Sequence, residues 1–211
     1  MNTRYPYLYK TIYLILGLLA GQSTLAQAPS DQFNLYEQTS ETAGLVTQYT
    51  QDLRAIQHFY SPMLRQGRGF SNSVSVLNSP EQRNRLTTLD QGYLARLAKL
   101  DFNAMSIYGK VDYILLKRTI EDHLLTLSQE EKQYAGVTKY LPFADKIYDL
   151  EKMRRRGAKV DGQQVAGTLN ELVGQVEATA ETVKKLESLD KSEADFGEEA
   201  IKGLKTRLKG T

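Results

Sequence analysis

The sequence predicts an all-α protein: five or six helices in an irregular bundle, behind an N-terminal signal peptide. Apolar residues recur at spacings of three, four and seven along almost the whole chain after residue 35. Several of these stretches open on helix-start signals, notably Ser79-Pro80 and Asp161-Gly162. Strand-type alternation is almost absent. A 211-residue chain that is 41% hydrophobic and 25% charged has the composition of an ordinary globular domain.

The N-terminus reads as a secretory signal. Arg4 and Lys10 precede an apolar run from Ile12 to Ala20, followed by small and polar residues through Ala26-Gln27-Ala28-Pro29. Cleavage after Ala28 would leave Pro29 first, a poor fit for a peptidase, so the expected cut follows Ala26. The apolar run is about half of the ~20 residues a spanning helix needs. The chain has no cysteine, which excludes disulfides and a lipid-modified cysteine at the cut. Residues 1–26 hold two basic and no acidic residues, so 27 − 2 = 25 positive charges face 25 negative ones afterwards. Such a balance gives no electrostatic reason to expect nucleic acid or an anionic membrane as partner. The expected organisation is signal peptide 1–26, flexible mature N-terminus 27–34 and helical domain 35–211, exported to the periplasm or the extracellular space.

A first helix is predicted from Phe33 to Tyr60, with Leu45, Tyr49, Ile56 and Phe59 on one face and Leu53 at its edge. Ser61-Pro62 and the Gly/Ser/Asn-rich stretch after it read as a loop, in which Val74-Ser75-Val76 is too short for a strand. Ser79 caps the next helix, Pro80 presets its first turn and Gln82 is placed to close a capping box. Its buried positions would be Leu86, Leu89, Tyr93, Leu97 and Leu100. Leu141 to Arg156 reads as a shorter helix with Ile147 and Leu150 inward, and Arg154-Arg155-Arg156 as its solvated, cationic end before Gly157. Over 161–188, Val165, Leu169, Leu172, Val176, Ala180 and Val183 form one stripe opposite Asn170, Glu181 and Lys185, so that helix buries one face. A last helix opens at Ser192, with Lys205, Arg207 and Lys209 crowding its end.

The 106–133 helix carries the most information. At about 100° per residue, Val111, Ile114, Leu115 and Leu125 fall on one side, and Tyr113, Leu116, Ile120, Leu124 and Leu127 on the other. Two stripes predict a central helix covered on both sides, each fully buried Leu or Ile contributing ~1.5–3 kcal/mol. Arg118 and Asp122 share the first stripe one turn apart and are expected to form a partly buried pair. His123 lies on the polar strip with Asp112 and Thr119. A zinc helix needs a second histidine four residues away, but those positions are Thr119 and Leu127; His58 is equally isolated. Both histidines therefore read as structural or solvated. No phosphate loop, nucleophile elbow or cysteine nucleophile occurs, and no carboxylate pair is brought together by spacing. Most of the thirteen tyrosines fall at core spacing or in the signal, not on a binding surface. No catalytic, cofactor-binding or metal-ligating residue is assigned.

The segments FYSP (59–62), SPEQRNRL, YLARLAKLDFNAMSIYGKVDYILLKR and PFADKIYDL, in this order, resemble the N-terminal part of the bacterial domain-of-unknown-function family 885. The resemblance covers roughly residues 35–190 and is most specific in LDFNAMSIYGKVDYILLKR. It implies a secreted, largely helical zinc-metallopeptidase-like hydrolase, longer than this chain. The chemistry of such proteins is carried by a downstream His-Glu-Ala-x-Pro-Gly-His-His segment to which nothing here corresponds, with zinc-bound water as the expected nucleophile. The chain is then expected to be an N-terminal fragment, a helical cleft wall, inactive alone. Zinc would belong to the full-length protein, the partner would be the remainder of that chain, and the substrate would be peptide-like. No membrane partner is expected after signal cleavage. The rival expectation is a non-catalytic exported helical module that binds a peptide, a protein or cell-wall material.

Overall fold

The computed structural model describes residues 40–62, 65–66, 69–70, 76–159 and 161–209. Residues 1–26, read above as a signal peptide, and residues 27–34 fall outside these, as do Val74 and Ser75. The described residues carry six helices: α1 (Ala43–Tyr60), α2 (Pro80–Leu97), α3 (Ile107–Val137), α4 (Ala144–Arg155), α5 (Gly162–Lys184) and α6 (Lys191–Lys209). A 3-10 turn (Thr138–Tyr140) follows α3, and two-residue strands at Arg65–Gln66 and Gly69–Phe70 pair antiparallel, Arg65 opposite Phe70. The fold is all-α, and the helices belong to one compact unit, residues 39–211. Among the described residues no helix is long and apolar enough to cross a membrane.

Local chemistry accounts for most of the helix starts. Ser79 accepts from Gln82 N at 3.2 Å, with Pro80 behind it, and Ser106 accepts from Gly109 N at 3.1 Å. Asp161 accepts from Gln163 N at 2.9 Å. Three starts differ from expectation. Helix α4 begins at Ala144, not Leu141. Helix α1 begins at Ala43, not Phe33; residues 33–39 lie outside the described ones, and Ser40 to Thr42 are not helical. At α6 the capping carboxylate is Asp190, which accepts from Ser192 N and Glu193 N. Gln82 does not close a capping box: its Oε1 takes a hydrogen bond from Arg207 Nη2 at 3.4 Å. Gly157, at φ 60°, ends α4 in the left-handed conformation that glycine adopts without a Cβ clash.

Helix α3, about 46 Å long at ~1.5 Å per residue, runs between two cores. Near its start, Leu116 and Ile120 pack with Tyr49 of α1 and with Tyr93 and Leu97 of α2. Near its end, Tyr134 and Val137 join Leu141, Phe143, Ile147 and Leu150 around α4, Leu172 of α5, and Ala200 and Leu204 of α6. Helix α3 is thus central in connectivity, but it is covered on one side only. Its other stripe faces outward: Val111 is 49% exposed, Ile114 55%, Leu115 60% and Leu125 58%. The arithmetic of the two stripes is right; among the described residues nothing covers the first. For the same reason the Arg118–Asp122 pair forms, Nε to Oδ2 at 2.9 Å, on the surface, with the side chains 74% and 54% exposed. Leu100 and Phe59 are also more exposed than expected.

The α5 stripe departs from expectation in the same direction. Leu172 alone is buried in that helix, whereas Leu169, Val176 and Val183 are each more than a third exposed. Amphipathic spacing specifies which face seeks cover and not whether cover is present.

Candidate functional site

The polar residues singled out above meet partners that the sequence does not announce. His123 is not isolated: its Nδ1 lies 2.8 Å from Oδ2 of Asp90, a fully buried carboxylate on α2. The two atoms are close but are not aligned for a hydrogen bond. Asp90 Oδ1 accepts from Tyr49 OH at 2.9 Å, and Tyr93 OH donates to Asp52 at 2.6 Å. Tyr-x-x-Asp on α1 (Tyr49, Asp52) thus clasps Asp-x-x-Tyr on α2 (Asp90, Tyr93), with the two rings edge to face at 5.2 Å. Burial, then the Asp90 charge, pushes the Tyr49 phenol above the usual tyrosine range. The cluster ties three helices together. His58 is exposed.

The second polar centre joins the chain ends of the fold. Arg207, one of the cations that crowd the end of the last helix, is buried with its side chain 1% exposed. Its Nη1 donates to both oxygens of the buried Glu151, at 3.0 and 2.9 Å, and to Tyr60 O at 3.2 Å; Nη2 donates to Leu77 O at 3.0 Å. Arg155 is not a solvated terminal residue either. Its side chain is 7% exposed, its Nη1 is a charge contact 3.0 Å from Glu151 Oε2, and its guanidinium lies 4.5 Å from the Tyr60 ring centre. Nearby, Tyr60 OH donates to Glu81, which also pairs with Lys152 at 3.1 Å. Burial and the neighbouring Tyr134 push Tyr148 above its ordinary range.

These clusters have the form of structural knots: carboxylates bonded to arginines and phenols, with no nucleophile beside a base. Among the described residues no three His, Cys, Asp or Glu side chains come close enough to hold a metal, so the implied zinc has no fitting donor set in them.

What the surface offers is apolar. One face is the outer stripe of α3, with Ile107 and Tyr108 at its N-terminal end. The other is a groove of about 1070 Å³ between α5 and α6, floored by residues such as Phe143 and Leu172. Contiguous exposed apolar surface of this kind is a feature of protein-, membrane- and ligand-contact sites alike. No protein-family model, no curated protein and no solved structure matches this chain.

Proposed function

We propose that this chain is the N-terminal helical wall of an exported zinc-metallopeptidase-like hydrolase, with the catalytic centre supplied by further polypeptide of the same protein. The observation that carries the reading is the uncovered stripe of α3. Ile107, Val111, Ile114 and Leu115 stand on it, and all four belong to LDFNAMSIYGKVDYILLKR, the stretch that most specifically resembles the zinc-peptidase-like family. A helix with apolar residues on two sides and cover on one is what a wall looks like when the body it lines is not part of the described residues.

In this reading the chain positions and encloses; it performs no hydrolysis alone. Export rests on Arg4, Lys10 and the apolar run from Ile12 to Ala20. The test is to read the encoding gene beyond codon 211 and to assay the purified chain. The expected gene continues into a His-Glu-x-x-His segment, and the chain neither retains stoichiometric zinc nor cleaves peptides. A stop codon directly after Thr211 in an intact gene, or zinc held by this chain, would overturn the reading in favour of a self-contained module.

A further inference from the structure

The outer face of α3 has a shape that limits what can cover it. With Val111 at zero and about 100° per residue, Ile107, Ile114, Leu115 and Leu125 fall within about 60° of the same line, and all five are exposed. Arg118 and Asp122 fall on that line too, so positions 107, 111, 114, 118, 122 and 125 recur in steps of four and three. This is the spacing of a seam, in which each side chain fits between side chains of one facing helix. The strip is narrow: Lys117 and Glu121, paired at 3.7 Å, bound it on one flank, and Asp112 and Thr119 on the other. It also has an end, because past Leu125 the same line carries Gln129, Lys132 and Gln133. From 107 to 125 it runs about five turns, or about 27 Å at ~1.5 Å per residue. A strip of that width and length seats one helix; the face of a sheet or a pair of helices needs a broader apolar surface.

The centre of the seam is polar. Arg118 Nε donates to Asp122 Oδ2 at 2.9 Å, and Arg118 makes no other hydrogen bond among the described residues. Both side chains are more than half exposed, so water now serves the remaining guanidinium donors. Cover over the strip displaces that water, which is costly unless the covering element brings acceptors of its own.

Resting on the reading of α3 as a wall, we infer that its outer face seats a single amphipathic helix of the same polypeptide. That helix lies along α3 for about five turns, is apolar at steps of three and four, and carries an acidic or amide side chain at the level of Arg118. The polar centre sets the alignment. In register, the Arg118 donors find their acceptor; slipped by a turn, they are covered by apolar side chains and left without one.

A benzoylphenylalanine scan of the natural gene product at positions 107, 111, 115 and 125 tests this, with the crosslinked residues mapped by mass spectrometry. The partner residues should fall in one stretch of about twenty residues of the same polypeptide, and should advance steadily, forwards or backwards, as the probe moves along α3. Between the residues reached from 115 and from 125, that stretch should hold an Asp, Glu, Asn or Gln. Crosslinks scattered over separate segments of the polypeptide, or one stretch without a polar side chain at that level, would overturn the inference and leave the hydrolase reading standing. Capture of a different protein, or no crosslink at any of the four positions, would overturn both.

Discussion

Removing the charge of Glu151 should be among the most damaging conservative substitutions in the described fold. Glu151→Gln keeps the shape of the side chain and removes the carboxylate charge facing two guanidiniums, Arg207 and Arg155, whose side chains are 1% and 7% exposed. Breaking a buried ion pair from one side costs about 3–5 kcal/mol, because the remaining charge stays buried without a counter-charge. Arg207→Met should cost somewhat less, about 2–4 kcal/mol. Glu151 would still hold Arg155, and the main losses are the hydrogen bonds to Tyr60 O, Leu77 O and Gln82 Oε1. Arg155→Met should cost least, about 1–2 kcal/mol, since Glu151 keeps its paired contact to Arg207. Urea unfolding followed by circular dichroism reads all three, and for a chain of this size each kcal/mol shifts the thermal midpoint by about 2–4 °C. A loss below about 1 kcal/mol for Glu151→Gln, or a larger loss for Arg155→Met, would refute the idea that one carboxylate balances both arginines.

Three further outcomes are expected. Ile120→Ala, at a fully buried position, should cost about 2–5 kcal/mol, and Leu115→Ala on the open stripe less than about 1 in chemical denaturation; equal costs would mean that the stripe is covered within this chain. Gly92→Ala, in mid-α2 with nothing near an added Cβ, should stabilise by about 0.5–1 kcal/mol. Gly109→Ala should give no gain and a lower melting temperature, because its Cβ would collide with the Glu41 carboxylate that accepts from Ser106 N and Oγ. On the alkaline side, Tyr49 and Tyr148 have folded-state pKa values raised above the unfolded ones. Their contribution is complete below the ordinary tyrosine value of about 10 and is lost as pH rises through the folded values. Phenolate absorbance should therefore show a late-ionising fraction that appears together with loss of helix, and a single titration step near the ordinary value would contradict this.

The helices were legible because their signals are local. Ser79-Pro80, Asp161 and the Gly157 stop act within a turn or two, and seam spacing places Leu116, Ile120, Leu127 and Leu172 inside correctly. The knots were not legible, since Arg207 lies 56 residues from Glu151 and no helical period links them. Asp90 gave no sign that it would meet His123 and Tyr49, although Tyr-x-x-Asp facing Asp-x-x-Tyr on neighbouring helices could have suggested the clasp. Cover was the second blind spot. Val111, Ile114 and Leu115 have the pattern of buried residues, but the pattern records a demand for apolar contact and does not say which segment meets it.

Which segment meets that demand can be measured directly. A photo-crosslinking benzoylphenylalanine at position 115 or 125, placed in the natural gene product in its own cell, reports what lies against the outer face of α3. The predicted product is an internal crosslink, mapped by mass spectrometry to residues of the same polypeptide outside residues 1–211. Capture of a different protein, or no crosslink at either position, would contradict the assignment of this face to the body of a larger hydrolase.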